Sequence, residues 1–170
     1  AEDKEFKMYF ALTFDGTVDV EGSKLVVNDE EELALTENNG EELNVFIRFV
    51  EAQTVTTTLA TSFISVEQAE LNLSRIKNDS FKEMKDAAEA SWMNYLNRIE
   101  VNSKNKEQVA TFYTMMYRAF IFPQKFYELN EANEPIHYNT MTKEVTPGYL
   151  YTNNGFWDTY KTVYPLYSLI

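Results

Sequence analysis

The feature that most constrains the fold of this 170-residue chain is a change of hydrophobic period near residue 65. Before it, the apolar stretches alternate or are β-branched. "FKMYFALTF" (Phe6–Phe14) is aromatic and apolar without helical spacing. "LNVFIRFV" (Leu43–Val50) sets Leu43, Val45, Ile47 and Phe49 on one face. "QTVTTTLATSFISV" (Gln53–Val66) is rich in β-branched residues, which suit a pleated surface. "DGT" at Asp15–Thr17, "EGS" at Glu21–Ser23 and "NNG" at Asn38–Gly40 carry turn chemistry. Together these predict an antiparallel sheet layer.

After residue 65 the spacing is helical. Ser65 and Gln68 form a capping-box pattern, followed by Val66, Ala69, Leu73 and Ile76 at helical intervals. Ser80 and Glu83 form a second box. It opens a helix with Phe81, Met84, Ala88, Trp92, Tyr95 and Ile99 on its apolar face. A third helix is predicted from about Lys104 to Phe122, ended by Pro123. Residues 124–154 read as irregular, with turn signals at "NEANEP" and "TPG". From Phe156 to Ile170 the spacing is helical again, and Pro165 is expected to kink or restart that helix. Apolar residues surround most of its circumference, so it requires neighbours on several sides. Strands followed by helices imply either an α+β domain or a β domain joined to an α domain.

Charge divides the chain in the same place. Residues 1–65 hold 14 acidic and 4 basic side chains, and residues 66–170 hold 13 and 11. The 25 aromatics split the other way, 7 before residue 66 and 18 after. A net charge of −12 disfavours binding to phosphate backbones, so no nucleic-acid partner is expected. With no cysteine, disulfides, thiolate catalysis and cysteine-based zinc sites are excluded. No run approaches the roughly 18–20 apolar residues of a membrane span. The sequence also lacks a secretory signal pattern.

Several residues invite a chemical reading. The acidic positions Asp15, Asp19, Glu21 and Asp29–Glu32 lack the alternating ligand spacing of a calcium loop and read as a solvated face. His137 is the single histidine and reads as a turn residue in "PIHY". The sequons at Asn72 and Asn78 carry little weight, since Asn72 falls within a predicted helix. The stretch Tyr149–Tyr160 differs in kind. It mixes aromatics at 149, 151, 156, 157 and 160 with Asn153, Asn154 and Asp158. Sugars are held by such sets, with rings against the apolar C–H face and polar side chains on the hydroxyls. The structural alternative is a packed loop-to-helix junction with Asn153 or Asn154 as its N-cap.

"TNNGFWDTYKTVYPLYSLI" (152–170) resembles the "LWDT(Y/F)R…PL" signature of glycoside hydrolase family 92, the α-mannosidases. "ISVEQAELNL", "AAEASWMNYLNRIEV" and "QVATFYTMMYRAFIFPQKF" resemble successive segments of that family in the same order. The resemblance covers about residues 44–170, and the first strands more loosely. It implies the end of an N-terminal β-sandwich over 1–65, linker helices over 66–103 and the first helices of an (α/α) toroid over 104–170.

It also implies an exo-acting, inverting, calcium-assisted α-mannosidase of bacterial origin. Such enzymes are exported to the periplasm or beyond with the signal removed, and they take a mannose-containing glycan as substrate. By the motif, Trp157 is expected to face the apolar side of a terminal mannose and Asp158 to take its hydroxyls. Phe156 beside them stands where the family carries Leu, and Lys161 where it often carries Arg.

Inversion needs a general acid and a general base about 6.5–9.5 Å apart with a water between them. The family's acid, base and calcium ligands are expected outside the matched segment. No catalytic or metal-binding residue is therefore assigned here, and no calcium is expected on this chain. The isolated chain is expected to be inactive. Two alternatives stand beside this reading. One is a sugar-binding or self-associating module, with the apolar final helix as a candidate homo-oligomer surface. The other is a trehalase-like toroidal glycosidase, which the upstream segments fit less well.

Overall fold

The computed structural model describes residues 6–28, 30–32, 43–51, 54–76 and 78–170. The turn expected at Asn38–Gly40 lies outside them, as do Asp29 and Gln53. The architecture is α+β. Five strands come first: β1 (Tyr9–Phe14), β2 (Val18–Val27), β3 (Glu30–Glu32), β4 (Leu43–Phe49) and β5 (Thr57–Ser62). Helices α1 (Val66–Ile76), α2 (Phe81–Leu96) and α3 (Lys106–Ala119) follow. Strands β6 (Glu128–Leu129), β7 (Pro135–Asn139) and β8 (Glu144–Pro147) then precede the short helices α4 (Phe156–Thr159) and α5 (Val163–Leu169).

The first strands form two antiparallel sheets rather than one layer. β1 pairs with β5, from Tyr9 opposite Ser62 to Phe14 opposite Thr57. The other sheet has the order β3-β2-β4. The two meet where Phe14 of β1 lies edge-on to Phe49 of β4 at 5.3 Å, and Val50 N, donating to Thr17 O at 2.9 Å, extends the β2–β4 pairing.

"EGS" is not a turn. β2 runs through it, and the pairing jumps from Asp19 opposite Arg48 to Lys24 opposite Phe46. The surplus residues of β2 form a bulge, which the turn-like composition masked. Its hinge is Ser23, only 1% exposed, whose hydroxyl donates to Asp19 O at 2.6 Å and accepts from Arg48 N at 2.9 Å. A Cβ at Gly22 would displace the side chains of Asp19 and Arg48, whose Oδ2 and Cδ lie 2.3 and 2.6 Å from its position.

The core is small. Leu25, Val27, Ala60, Ala69, Leu73 and Met116 are its buried apolar residues among those described. α1 packs on the β1–β5 pair. Ser65 caps it by accepting from Gln68 N at 3.1 Å, but Gln68 does not close the box. Its amide reaches Asn72 Oδ1 at 3.0 Å and Leu129 O at 2.8 Å instead. Ser80 and Glu83 do form the complete reciprocal box.

α2 leans on α3 through Trp92–Tyr117 (4.5 Å) and, just past the end of α3, Tyr95–Phe120 (5.7 Å). No α2 side chain is fully buried, and Phe81 is 74% exposed. Ile99 falls beyond the helix.

The segment 124–154 is not irregular. It holds the antiparallel sheet β6-β7-β8, whose strands are too short to show a period. Its tight connections place Asn133 and Lys143 at φ of 61°. His137 stands on β7 and not in a turn. Its Nδ1 lies 2.9 Å from Gly148 O and its Nε2 3.0 Å from Thr146 Oγ1, so both ring nitrogens have partners.

The final apolar segment is two helices. The break falls at 160–162, and Pro165 sits within the first turn of α5, where its missing N–H costs nothing. Among the described residues no helix is long and apolar enough to cross a membrane.

Candidate functional site

Segment 150–152 is held by strand-like pairing with 124–126. Phe126 N donates to Leu150 O (2.8 Å), Thr152 N to Gln124 O (2.9 Å) and Gln124 N to Thr152 Oγ1 (2.8 Å). Lys125 and Tyr151 form a bridge between them. This pairing delivers the chain to α4. The N-cap is Gly155, not Asn153 or Asn154, and no side chain closes the cap. The cap's interior is taken by the Asp158 carboxylate, since a Cβ on Gly155 would lie 2.8 Å from Asp158 Oδ2.

Trp157 is 82% exposed and has no ring partner among the described residues. Asp158 is exposed, and no described side chain donates to its carboxylate. As successive helix residues the two project about 100° apart, so a ligand must bridge two directions. Phe156 is 70% exposed, with Tyr160 stacked on it at 5.7 Å and Tyr164 at 6.3 Å. Lys161 places its Nζ 5.3 Å over the Tyr160 ring. The Thr162 hydroxyl donates to Asp158 O at 2.6 Å and fixes the exit from α4.

Two clefts flank this segment, and Phe156, Trp157 and Asp158 line neither. One, of about 360 Å³, is walled by Trp92, Tyr95, Phe120, Lys125, Tyr151 and Tyr167. The other, of about 520 Å³, is walled by Asn72, Arg75, Lys125, Tyr127, Glu128 and Tyr149. Between them Tyr127 stands edge-on to Tyr149 (4.8 Å) and Tyr151 (5.7 Å). Desolvation, and then Tyr127 beside it, holds the Tyr151 hydroxyl above its ordinary range. The Tyr149–Tyr160 stretch is thus split. Its first aromatics build a wall with Tyr127, and 156–158 are exposed side chains apart from that wall.

Glu128 escaped the sequence reading. Its carboxylate accepts from Ser62 Oγ (3.0 Å), Phe63 N (2.8 Å) and Asn72 Nδ2 (2.7 Å). Asn72, the sequon residue, also donates to Thr61 O at 3.0 Å and is therefore a framework group. The partners of Glu128 lie 56 to 66 positions away, beyond any local pattern. Asp15 accepts from Thr56 N at 2.7 Å, and this bond holds its carboxyl below the usual range. Asp19 pairs with Arg48 at 3.5 Å. Among the described residues no three His, Asp or Glu side chains converge on a point that could hold a metal ion, so no chemistry is routed through calcium here.

Comparison with known proteins identifies this arrangement. The structure superposes on the family GH92 inverting mannosidase BT2199 from Bacteroides thetaiotaomicron VPI-5482 with a TM-score of 0.87 and 33% identity, over 97% of this chain and 22% of that one. The family GH92 α-mannosidase BT3965 from Bacteroides thetaiotaomicron shares the fold at TM-score 0.77 and 22% identity, over 95% of this chain and 23% of that one. Its complex with mannoimidazole gives 0.76 at 22% identity, over 95% and 22%. The chain spans about a fifth of the length of these mannosidases. It matches no curated protein. Residues 68–170, more than half of the chain, match the glycosyl hydrolase family 92 catalytic domain, and the chain therefore belongs to that family.

Proposed function

We propose that this chain is part of an exo-acting, inverting α-mannosidase and that α4 supplies part of the subsite for a terminal mannose. In this reading the Trp157 indole packs on the apolar face of the sugar. Asp158 accepts hydrogen bonds from its hydroxyls, and Phe156 seats the pair against Tyr160. The observation that carries it is the pairing, on adjacent residues of the family's signature, of an 82% exposed tryptophan with a carboxylate that no described side chain engages. The 33% identity to an inverting mannosidase supports the reaction class.

No general acid or base is assigned. The Glu128 carboxylate is spent on framework donors. The proposal therefore includes that the 170-residue chain alone releases no mannose. Calcium dependence, α-1,2 preference and export to the periplasm or beyond belong to it for the whole enzyme. So does the division into 1–65, 66–103 and 104–170, which is supported by the positions where β5 ends and where α1 and α3 begin.

Titration calorimetry of the chain with mannose and α-1,2-mannobiose tests the reading. Binding that is lost in both Asp158→Ala and Trp157→Ala is expected. Binding unchanged in both variants refutes the subsite. No binding together with a concentration-dependent dimer favours self-association through the exposed apolar helices, and mannose released by the chain alone refutes the inactive state.

A further inference from the structure

Segment 124–130 joins three parts of the molecule. Through 124–126 it pairs with 150–152, the run that delivers α4. Through Glu128 and Leu129 it pairs with β7. Through the same residues and Asn130 it is bound to β5 and α1.

This last attachment is the densest. Besides the three bonds to the Glu128 carboxylate, Leu129 O accepts from Gln68 Nε2 (2.8 Å) and Arg75 Nη1 (3.0 Å), and Asn130 O accepts from Arg75 Nη2 (2.8 Å). Gln68 is 8% exposed and Ser62 1%, so the inner side of the clasp is buried, while Arg75 closes its solvent side. Phe126 is stacked on Phe63 at 5.0 Å beside it. By contrast, β6 contributes only two residues to its own sheet. Its position is therefore set by β5 and α1 more than by β7.

We infer that Glu128 is a positioning residue: its carboxylate clasps β6 to β5 and α1, and through the 124–126 pairing with 150–152 it fixes where α4 presents Trp157 and Asp158. The strand-rich first part of the chain thus acts on the site at a distance, by holding the segment that α4 hangs from. That consequence rests on the mannose reading of α4, but the mechanical coupling does not.

Hydrogen exchange resolved by residue tests the coupling without sugar. Glu128→Gln keeps one acceptor oxygen and sets an amide NH₂ against a donor. It should speed exchange of the Phe126, Thr152 and Tyr160 amides by about tenfold or more, through local opening. The β2–β4 amides, remote from the clasp, should be unchanged. Asn72→Ala, which removes a donor and leaves Glu128 intact, should act in the same direction more weakly and carries the test if the Glu128 variant fails to fold. Glu128→Asp should restore part of the protection.

Faster exchange confined to Phe63 and β6, with Thr152 and Tyr160 unaffected, would overturn the inference. So would equal acceleration across the whole chain. Where mannose binds the wild type, weaker binding in Glu128→Gln is expected as well. Absence of binding in the wild type counts against the mannose reading alone.

Discussion

Tyr167→Phe isolates one hydroxyl that joins the end of the chain to α3. The Tyr167 hydroxyl has one proton to share between two carbonyls in reach, Ala119 O at 2.6 Å and Phe122 O, while its ring stacks on Phe120 at 5.8 Å. Ala119 is the last residue of α3, so its carbonyl is one of those that a helix leaves without an internal partner. The substitution keeps the ring and its stacking and removes only the donor.

The one shared bond is worth about 0.5–1.5 kcal/mol net. The expected loss is therefore about 0.5–1.5 kcal/mol, or roughly 1–6 °C in melting temperature for a chain of this size. Burial, and then Tyr164 nearby, raises the hydroxyl above its ordinary value of 10.0. The neutral form is thus favoured in the folded state. Its contribution is complete below the unfolded value and is lost as pH rises through the higher folded one.

Urea denaturation at pH 7 and in steps from pH 9 to 11.5 measures both effects. Wild type should exceed Tyr167→Phe at pH 7, and the gap should close above pH 10. Equal stability at pH 7, or a gap that persists unchanged to pH 11.5, would refute the assignment of Tyr167 as the donor that ties α5 to α3.

Ser23→Ala removes the buried hydroxyl that bridges the β2 bulge. With Arg48 N and Asp19 O left without that partner in a site 1% exposed, it should cost about 2–3 kcal/mol by chemical denaturation. Leu73→Ala, which cuts a side chain 7% exposed between α1 and the β1–β5 pair, should cost about 2–5 kcal/mol. That loss should appear as a shift in urea midpoint with the slope of the transition unchanged.

The sequence alone determined what is settled within one helical turn or by side-chain period. Ser80 and Glu83 meet across three residues, so their box was legible without any tertiary information. The same holds for α1, for most of α3 and for β4 as a strand, although Leu43 and Val45 of its apolar face stay 48% and 57% exposed. The signature around Trp157 and Asp158 was legible as a motif.

The tertiary structure decided everything that depends on a distant partner. "EGS" has turn composition, yet Arg48, 25 positions from Ser23, draws it into a strand. β6 to β8 are too short to show a period, and pairing across the sheet defines them instead. Gln68 looked like half of a capping box, but a carbonyl 61 positions away took its amide. Exposure was also beyond the sequence. Tyr151 and Trp157 belong to one aromatic run, but only packing decided that the first joins a wall and the second stands open. Local hydrogen bonds are encoded by neighbours, whereas burial and long-range satisfaction are properties of the assembled chain.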